Sequence, residues 1–377
     1  MTLPVNSSCQ ADEAARAYVQ IFADTPCRAL VANVATRLEI ATLDNGRWLV
    51  PVSVNDGTPD DQCYVCSPRS HYVDYTAFEL SRLGPRWLGS LLRGAFTGVA
   101  GVLQRADLDR VVIVNNWLLS TNLYPRDWHG EGLGDTVHAL AVRHPGHAVL
   151  LRSLNERQNP APMAAVRRAG ARLLASRVVW HYDGATADFT GTANYRRDQL
   201  LLANPAWEIV GPDDVGPGDM DGFERLYAQL YLEKYTPLNP RYTARYLGAC
   251  HALGLLRFQG IRARATDRWL GVIGTFEQHG VLTAPIVGYD ARLPQTSGLY
   301  RALMALVLRD TARRKLLLNL SAGAGSFKRS RGGRPCVEHT AVFDAHLPPA
   351  RRRPWKALEA ISNRIGLPVT WRKEVGR

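Results

Sequence analysis

Residues 295–300 combine residue types that bind phosphate groups at the start of a helix. The segment consists of Gln295, Thr296, Ser297, Gly298, Leu299 and Tyr300. The first N–H groups of a helix have no partner inside it, and the helix dipole adds positive potential there. Gly298 lets the backbone approach a ligand closely, Arg301 follows directly, and no acidic residue lies between Arg292 and Arg309. The segment is therefore predicted to bind a phosphate-bearing ligand, unless it is an ordinary helix start capped by Ser297.

A second segment, residues 321–332, places small residues before a basic cluster. Its sequence is Ser-Ala-Gly-Ala-Gly-Ser-Phe-Lys-Arg-Ser-Arg-Gly. The two glycines at 323 and 325 lack the third glycine of a dinucleotide fingerprint, and the segment lacks the Gly-Lys-Ser/Thr end of a P-loop. The chain also has no G-x-S-x-G nucleophile elbow. The simplest alternative for Lys328, Arg329 and Arg331 is a solvated basic helix face.

The elements that must position these segments follow from periodicity and turn signals. In the first half we expect a helix at 11–22, strands at 29–34, 38–43 and 48–54, a helix at 75–92, an apolar strand at 111–117, a helix at 133–143, a strand at 148–152, a helix at 162–169 and a strand at 172–181. Asp44-Asn45-Gly46 is a strong hairpin signal between two of these strands.

The second half begins after a polar stretch at 183–204, where a domain boundary is expected. The pattern predicts a strand at 207–210, helices at 223–235 and 242–253, strands at 257–265, 269–278 and 281–289, a loop at 290–297, a helix at 299–314, a strand at 316–320, a short helix at 326–331 and a strand at 337–345. This order excludes a doubly wound nucleotide fold, which would begin with repeated strand-helix units.

The order in the second half resembles the GNAT acyltransferase fold. Residues 295–300 resemble the family's Q/R-x-x-G-x-G/A loop, with Tyr300 where the family prefers Gly or Ala. Because the first half shows a looser version of the same order, the chain resembles the tandem, FemAB-like branch. The resemblance implies an α+β fold with two tandem domains, each a mixed, mostly antiparallel sheet flanked by helices. The expected divisions are a divergent N-terminal GNAT-like domain at 1–190, a C-terminal acyltransferase domain at 205–347 and a basic helical extension at 348–377.

The resemblance also implies roles for individual residues. Residues 295–301, which include Arg301, together with Val287 would bind the pyrophosphate and arm of an acyl-CoA or acyl-phosphopantetheine donor. Phe327-Lys328 resembles the FemAB-like ending, so Lys328 with the backbone of Phe327 would stabilise the oxyanion of a tetrahedral intermediate. Ordinary GNAT enzymes place a tyrosine acid where Lys328 stands.

The function implied is transfer of an acyl group from a thioester, on coenzyme A or an acyl carrier protein, to an amine by direct attack. The amine must first lose a proton, and no single base is identified. Ser326, Tyr289 and Asp290 lie at the expected reaction end, whereas Glu277 lies at the far end of its hairpin. Two alternatives stay open: a FemAB-like transferase that uses aminoacyl-tRNA, and a non-catalytic nucleic-acid-binding protein.

Net charge supports a polyanionic partner. The chain carries 46 Lys plus Arg against 34 Asp plus Glu, and residues 300–377 hold 17 basic and 5 acidic residues, so the first 299 residues balance. An acidic carrier protein or tRNA would complement this block. The cations of this block that could bind nucleic acid include Arg351, Arg352, Arg353 and Lys356. The same segment also has an apolar stripe, which favours docking on the protein. The stripe consists of Trp355, Leu358, Ile361 and Ile365.

Length and composition exclude other classes. With 377 residues and 46% hydrophobic content, the chain can form about two domains and is not a disordered protein. No apolar run reaches the ~18 residues of a membrane helix, and the N-terminus does not resemble a signal peptide, so a cytoplasmic location without membrane insertion is expected. Cys63-x-x-Cys66 and the pair His144 and His147 fall short of a zinc site, and no metal is predicted.

Two further groups of residues are interpreted structurally. Tyr227, Tyr231 and Tyr235 recur every four residues and are expected to pack on the core rather than border an acceptor site. Asn115, Asn116 and Trp117 follow an apolar run and are expected to be strand-end residues rather than the lining of a cleft.

Overall fold

A computed structural model describes residues 8–57, 63–74 and 106–376 of the chain. All structural statements below concern these residues. The helix predicted at 75–92 lies outside them.

The strands of the described residues form one continuous sheet of eleven strands. They are β1 (Arg37–Leu43), β2 (Trp48–Asp56), β3 (Arg110–Val114), β4 (Ala148–Leu154), β5 (Arg172–Asp183), β6 (Trp207–Val210), β7 (Arg257–Ala263), β8 (Trp269–Gln278), β9 (Val281–Tyr289), β10 (Leu317–Asn319) and β11 (Arg334–Phe343). Eight strand pairings are antiparallel, while β3 with β4 and β9 with β10 are parallel. The prediction of mixed, mostly antiparallel strands is confirmed.

Helices cover both faces of this sheet. They are α1 (Ser8–Asp24), α2 (Cys27–Leu30), α3 (Leu133–Arg143), α4 (Pro160–Arg168), α5 (Ala193–Leu201), α6 (Met220–Ala228), α7 (Ala244–Ala252), α8 (Leu299–Arg314), α9 (Gly325–Arg329), α10 (Pro349–Ile361) and α11 (Leu367–Val375). Side chains that alternate along β8, β9 and β10 separate two apolar cores. Leu282 and Leu318 pack with Leu303 of α8 on one face, and Phe276 packs with Trp117 in the core on the other.

Strand order shows an exchange between the two halves of the chain. The order is β1-β2-β3-β4-β11-β5-β10-β9-β8-β7-β6. Each half sends its last strand into the other, because β5 pairs with β10 and β11 pairs with β4. The two exchanged strands also pair with each other, from Arg334 opposite His181 to Val342 opposite Arg172. The halves therefore share backbone hydrogen bonds and not only side-chain contacts.

Two local predictions were wrong. Residues 29–34 are not a strand, because α2 begins directly after Pro26 and only Val31 makes a β-bridge, to Tyr242. Asn33 fixes this segment by donating to the carbonyls of Pro237 and Asn239. The predicted helix at 223–235 is α-helical only as far as Ala228 and continues as a wider π-helical turn, Gln229–Tyr235.

The C-terminal extension folds back onto the sheet. Trp355 and Leu358 of α10 are 1% and 2% exposed and pack with Leu174 of β5 and Val342 of β11. The apolar stripe of this segment is therefore buried in part, although Ile365 remains 61% exposed. Among the described helices, none combines the length and the apolar character that crossing a membrane requires.

Candidate functional site

The parallel pairing of β9 and β10 is short, and we call the region beyond its end the cleft. These strands pair in parallel only from Val281 with Leu317 to Thr283 with Asn319. Beyond Thr283, β9 runs on for six residues to Tyr289, with a register shift against β8 between Gly274 and Phe276. The chain after β10 turns toward β5 instead, so that the Leu320 N–H donates to the Trp180 carbonyl at 2.8 Å. One edge of β9 beyond Thr283 is thus left without a strand partner among the described residues.

The first turn of α8 lies at the outer end of this cleft and offers backbone N–H groups. Gln295–Ser297 form a single 3-10 turn, and Gly298 is the N-cap of α8 with φ 75°. No side chain caps the helix, so the alternative in which Ser297 caps it was wrong. Gln295 and Thr296 are exposed. The first N–H groups of α8 are therefore not capped by a side chain, and phosphate binding there stays a prediction.

Gly298 is needed for this geometry. Its positive φ disfavours any residue with a Cβ, and a Cβ there would lie 3.2 Å from Leu201 Cδ1. The loop before it is fixed by Asp290, which is 2% exposed and accepts from Arg268 at 2.6 Å and from Arg292 at 2.8 Å. The Arg292 hydrogen bond holds the pKa of Asp290 well below its ordinary value. Asp290 is thus a loop anchor in this structure, which argues against it as the base.

A buried carboxylate binds two arginines, one from the first turn of α8 and one from the segment after α9. Asp198 of α5 is 2% exposed and accepts from Arg301 at 2.7 Å and from Arg331 at 2.5 Å. Arg301 therefore does not point freely at a phosphate, although its side chain is 38% exposed. Asp198 was not predicted from the sequence. The available signal was a lone acidic residue between Asp188 and Glu208 in a basic stretch.

Replacing Asp198 by asparagine is expected to destabilise the fold by about 3–5 kcal/mol, because it leaves a buried guanidinium without its counter-charge. Asp310→Asn is the matched control, since Asp310 also pairs with two arginines but at the surface, where such pairs contribute about 0–1 kcal/mol. Urea unfolding of both variants measures the difference. Equal stability of the two variants would show that the ion pairs of Asp198 with Arg301 and Arg331 do not stabilise the fold.

Aromatic side chains line the wall between α8 and α9. The Tyr300 ring lies 5.0 Å from Phe327 and 6.3 Å from Tyr289. The Arg331 guanidinium stacks 3.5 Å from the centre of the Phe327 ring. Tyr300, which departs from the family pattern, therefore packs against Phe327. Val287 is 4% exposed and lies in the α8-side core, so only its backbone can contact a donor.

Lys328 lies beneath the loop that follows β10. Its side chain is 3% exposed, and its ammonium donates to three carbonyls: Leu320 at 2.7 Å, Ala322 at 2.9 Å and Ser321 at 3.1 Å. All three N–H donors are thus committed to the loop. Burial lowers the pKa of Lys328 to about 7, while the charge of Glu374 raises it. In this structure Lys328 fixes the loop after β10 through these hydrogen bonds. Ser326, in the first turn of α9, is exposed.

The C-terminal helix α11 closes this end of the site, which sequence reasoning did not foresee. Glu374 is 8% exposed, and the Trp180 indole N–H donates to its carboxylate at 3.3 Å. Arg329 donates to the Val375 carbonyl. Any side chain at Gly325 would collide with the Glu374 backbone. The basic extension therefore contributes a buried carboxylate to the surroundings of Lys328.

The remaining candidates take structural positions. Glu277 pairs with Arg314 at 2.5 Å and lies near the turn of the β8–β9 hairpin, at the opposite end from the start of α8. Tyr289 accepts a hydrogen bond from Lys234 at 3.3 Å. In the tyrosine series, Tyr227 is 2% exposed and stacks on Tyr231 with ring centres 4.8 Å apart, as expected of core residues. Tyr235 is 47% exposed, so the prediction that it packs on the core was wrong.

The three residues at the end of β3 behave as strand-end residues. Asn115 donates to the Leu123 carbonyl at 2.7 Å and accepts from the Trp117 indole at 2.8 Å. Asn116 donates to Ser53 at 2.7 Å. The polar groups of these residues thus form hydrogen bonds inside the protein.

Comparison with known proteins identifies the fold. The chain matches no sequence-family model and no curated protein sequence. Among solved structures, the C-terminal domain of a protein described as a lysylphosphatidylglycerol synthetase from Agrobacterium fabrum is 13% identical, with TM-score 0.50 over 94% of this chain and 98% of that one. FemX is 7% identical with TM-score 0.46 over 66% and 83%, and a tandem GNAT protein from the clavulanic acid biosynthesis pathway is 16% identical with TM-score 0.36 over 63% and 76%.

The chain shares its overall fold with the Agrobacterium domain. The match extends over almost the whole length of both chains. At 13% identity this likeness carries the fold alone.

Proposed function

We propose that the chain is an N-acyltransferase that moves an acyl group from a thioester donor to an amine. The single observation that carries the proposal is the cleft between β9 and β10, whose outer end meets the uncapped first turn of α8. A donor phosphate at this turn would place its thioester arm along the free edge of β9. The acyl carbon would then lie near the α9 loop that Lys328 shapes.

The chemistry requires a neutral amine and a stabilised oxyanion. Holding an amine of ordinary pKa near 10.4 neutral at pH 7 costs about 4.6 kcal/mol, so the site must favour the uncharged form. The N–H groups of the first turn of α9, including that of Phe327, are the nearest oxyanion donors, and Lys328 supports them from below. Collapse of the intermediate releases the thiol and leaves an amide.

An aminoacyl-tRNA donor is the second candidate. Two observations favour it. The Agrobacterium protein of the same fold is described as a lysylphosphatidylglycerol synthetase. The C-terminal extension also carries basic side chains that are exposed to solvent. These are Arg353, Lys356, Arg364 and Arg372. A pure nucleic-acid-binding role ranks lower, because Arg301, Arg331 and Arg351 all pair with carboxylates inside the protein.

Donor competition separates these candidates. Thermal stabilisation by acetyl-CoA, by acyl carrier protein loaded with an acyl group and by aminoacyl-tRNA is measured on the purified chain. We expect one of these donors to raise the melting temperature. The same carrier without its acyl group (coenzyme A, acyl carrier protein or tRNA) should compete with that donor for binding. Stabilisation by RNA of any sequence, with no response to any acyl donor, would contradict the proposal.

Replacing Glu374 by glutamine is expected to move the alkaline limb of the pH–rate profile to lower pH. Burial already lowers the pKa of Lys328 to about 7, and removing the charge of Glu374 lowers it further. Lys328 then loses its proton, and one hydrogen-bond donor to the loop, at a lower pH. The control is Glu233→Gln, which alters an exposed carboxylate. Identical profiles for the two variants would show that Glu374 does not act on Lys328.

A further inference from the structure

A row of fully buried polar side chains crosses three neighbouring strands at the inner end of the cleft. Thr283 of β9 pairs with Asn319 of β10, and Asn319 pairs with His181 of β5, so the three side chains share one face of the sheet. All three are 0% exposed. Gln158, 7% exposed, accepts a hydrogen bond from Asn319 at 3.1 Å. We call these four residues the polar row.

Most of the polar row lacks hydrogen-bond partners. The Thr283 hydroxyl, both ring nitrogens of His181 and the Gln158 amide nitrogen are buried and contact no partner among the described residues. Buried polar groups are almost always paired in native proteins, so a cluster of unpaired groups indicates a place for a ligand. Burial lowers the pKa of His181 to about 3, which keeps the imidazole neutral, with one nitrogen as donor and the other as acceptor.

The position of the polar row connects it with the acyl-transfer cleft. Thr283 and Asn319 are the last paired residues before β9 and β10 diverge. Six residues of strand, about 20 Å at ~3.3 Å per residue, separate Thr283 from Tyr289 at the end near α8. A donor bound at the start of α8 would therefore bring its acyl end toward the polar row.

The polar row faces the N-terminal half of the chain. Leu282, Leu318 and Tyr182 alternate with it along the same strands and pack in the core beneath α8. The row points the other way, toward Gln158 in the connection between β4 and α4. An acceptor that enters between the two halves would meet the row opposite the α8 face.

We propose that the polar row binds a hydroxyl group of the acceptor amine, so that the acceptor is an amino alcohol. A hydroxyl is donor and acceptor at one atom, and the row offers both: N–H groups from Gln158 and His181, and a free acceptor nitrogen on His181. None of the four side chains carries a charge, which suits a neutral group. The inference rests on the proposed acyl transfer and specifies its acceptor.

The experiment compares ethanolamine with n-propylamine, which replaces the hydroxyl by a methyl group. With the thioester that stabilises the protein best, we expect kcat/KM for ethanolamine to exceed that for n-propylamine at least tenfold. Thr283→Val keeps the shape but removes the hydroxyl and should reduce the preference below threefold, whereas Thr283→Ser should retain it. An unchanged preference in Thr283→Val, or no preference in the unaltered protein, would overturn the proposal.

A second readout does not depend on turnover. The ring nitrogens of His181 are observed by ¹⁵N NMR in the full chain, and His181→Phe assigns their signals. Ethanolamine should shift these signals saturably, while n-propylamine should not. Saturable shifts without any acyl transfer would keep the hydroxyl site and reject the proposed function. The absence of shifts, or equal shifts with both amines, would reject the hydroxyl site even if acyl transfer is observed.

Discussion

Replacing Lys328 by methionine is expected to lower the turnover number at least tenfold and to destabilise the protein by about 3 kcal/mol or more. The Lys328 ammonium is the donor to the carbonyls of Leu320, Ser321 and Ala322. Methionine fills the same space but leaves those carbonyls without that donor, and a buried group that loses its partner costs about 1–3 kcal/mol. The loop that precedes α9 then relaxes, and the oxyanion donors of α9 lose their position.

Turnover at saturating donor and the urea midpoint measure these two effects. Lys356→Met is the control, because it removes an exposed ammonium from the same region of the sequence. If Lys328→Met keeps both its turnover and its stability, Lys328 has neither the catalytic nor the positioning role. Loss of turnover with unchanged stability would instead favour the direct oxyanion contact that the sequence predicts.

Replacing Gly298 by valine is expected to raise the KM for the donor at least tenfold. Gly298 has φ 75°, a conformation that costs a β-branched residue about 1–3 kcal/mol, and its Cβ would press on Leu201 at 3.2 Å. Either effect moves the first N–H groups of α8 away from the donor phosphate. Because ~1.4 kcal/mol corresponds to a factor of ten, a modest displacement suffices.

The control for this variant is Gly254→Val. Gly254 has φ 68° but nothing within 4 Å of the position of a Cβ, so it shares the backbone strain without adjoining the cleft. We expect Gly254→Val to lose stability and keep its donor KM. If both variants change KM equally, or if neither does, the start of α8 is not the phosphate site.

The elements that form the cleft were predictable because local signals define them. The turn at 278–280 and the alternation on each side predicted 269–278 and 281–289, which are the observed bounds of β8 and β9. The helix after Gly298 was also predicted at its observed bounds, 299–314. In each case a glycine or a polar turn marks the boundary within a few residues of the apolar pattern.

The exchange of β5 and β11 was not predictable from the same signals. Both strands mix apolar with polar residues, and the period of a strand does not specify which strand pairs with it. The pairing depends on contacts between residues far apart in sequence, such as Arg334 with His181. The two predicted domains therefore appear in the structure as halves of one sheet.

The residue types of the proposed site could be identified from the sequence, but the partners of those residues could not. The expectation that the start of α8 binds an anion rests on Gly298 and its neighbours, and it stays a prediction. The carboxylates near the basic residues of this site could not be identified, because Asp198 and Glu374 come from α5 and α11, which are distant in sequence. Lys328 was identified as important, but its three carbonyl partners depend on the path of the chain after β10.

The measurement that tests the central claim most directly is acceptor-dependent release of free thiol from an acyl thioester, with the amide product identified by mass spectrometry. The account predicts that the unaltered chain releases thiol only when an amine is present, with one amide formed for each thiol, and that Gly298→Val needs at least tenfold more donor. No thiol release from any thioester, together with tight, salt-dependent binding of RNA that Gly298→Val leaves unchanged, would contradict it.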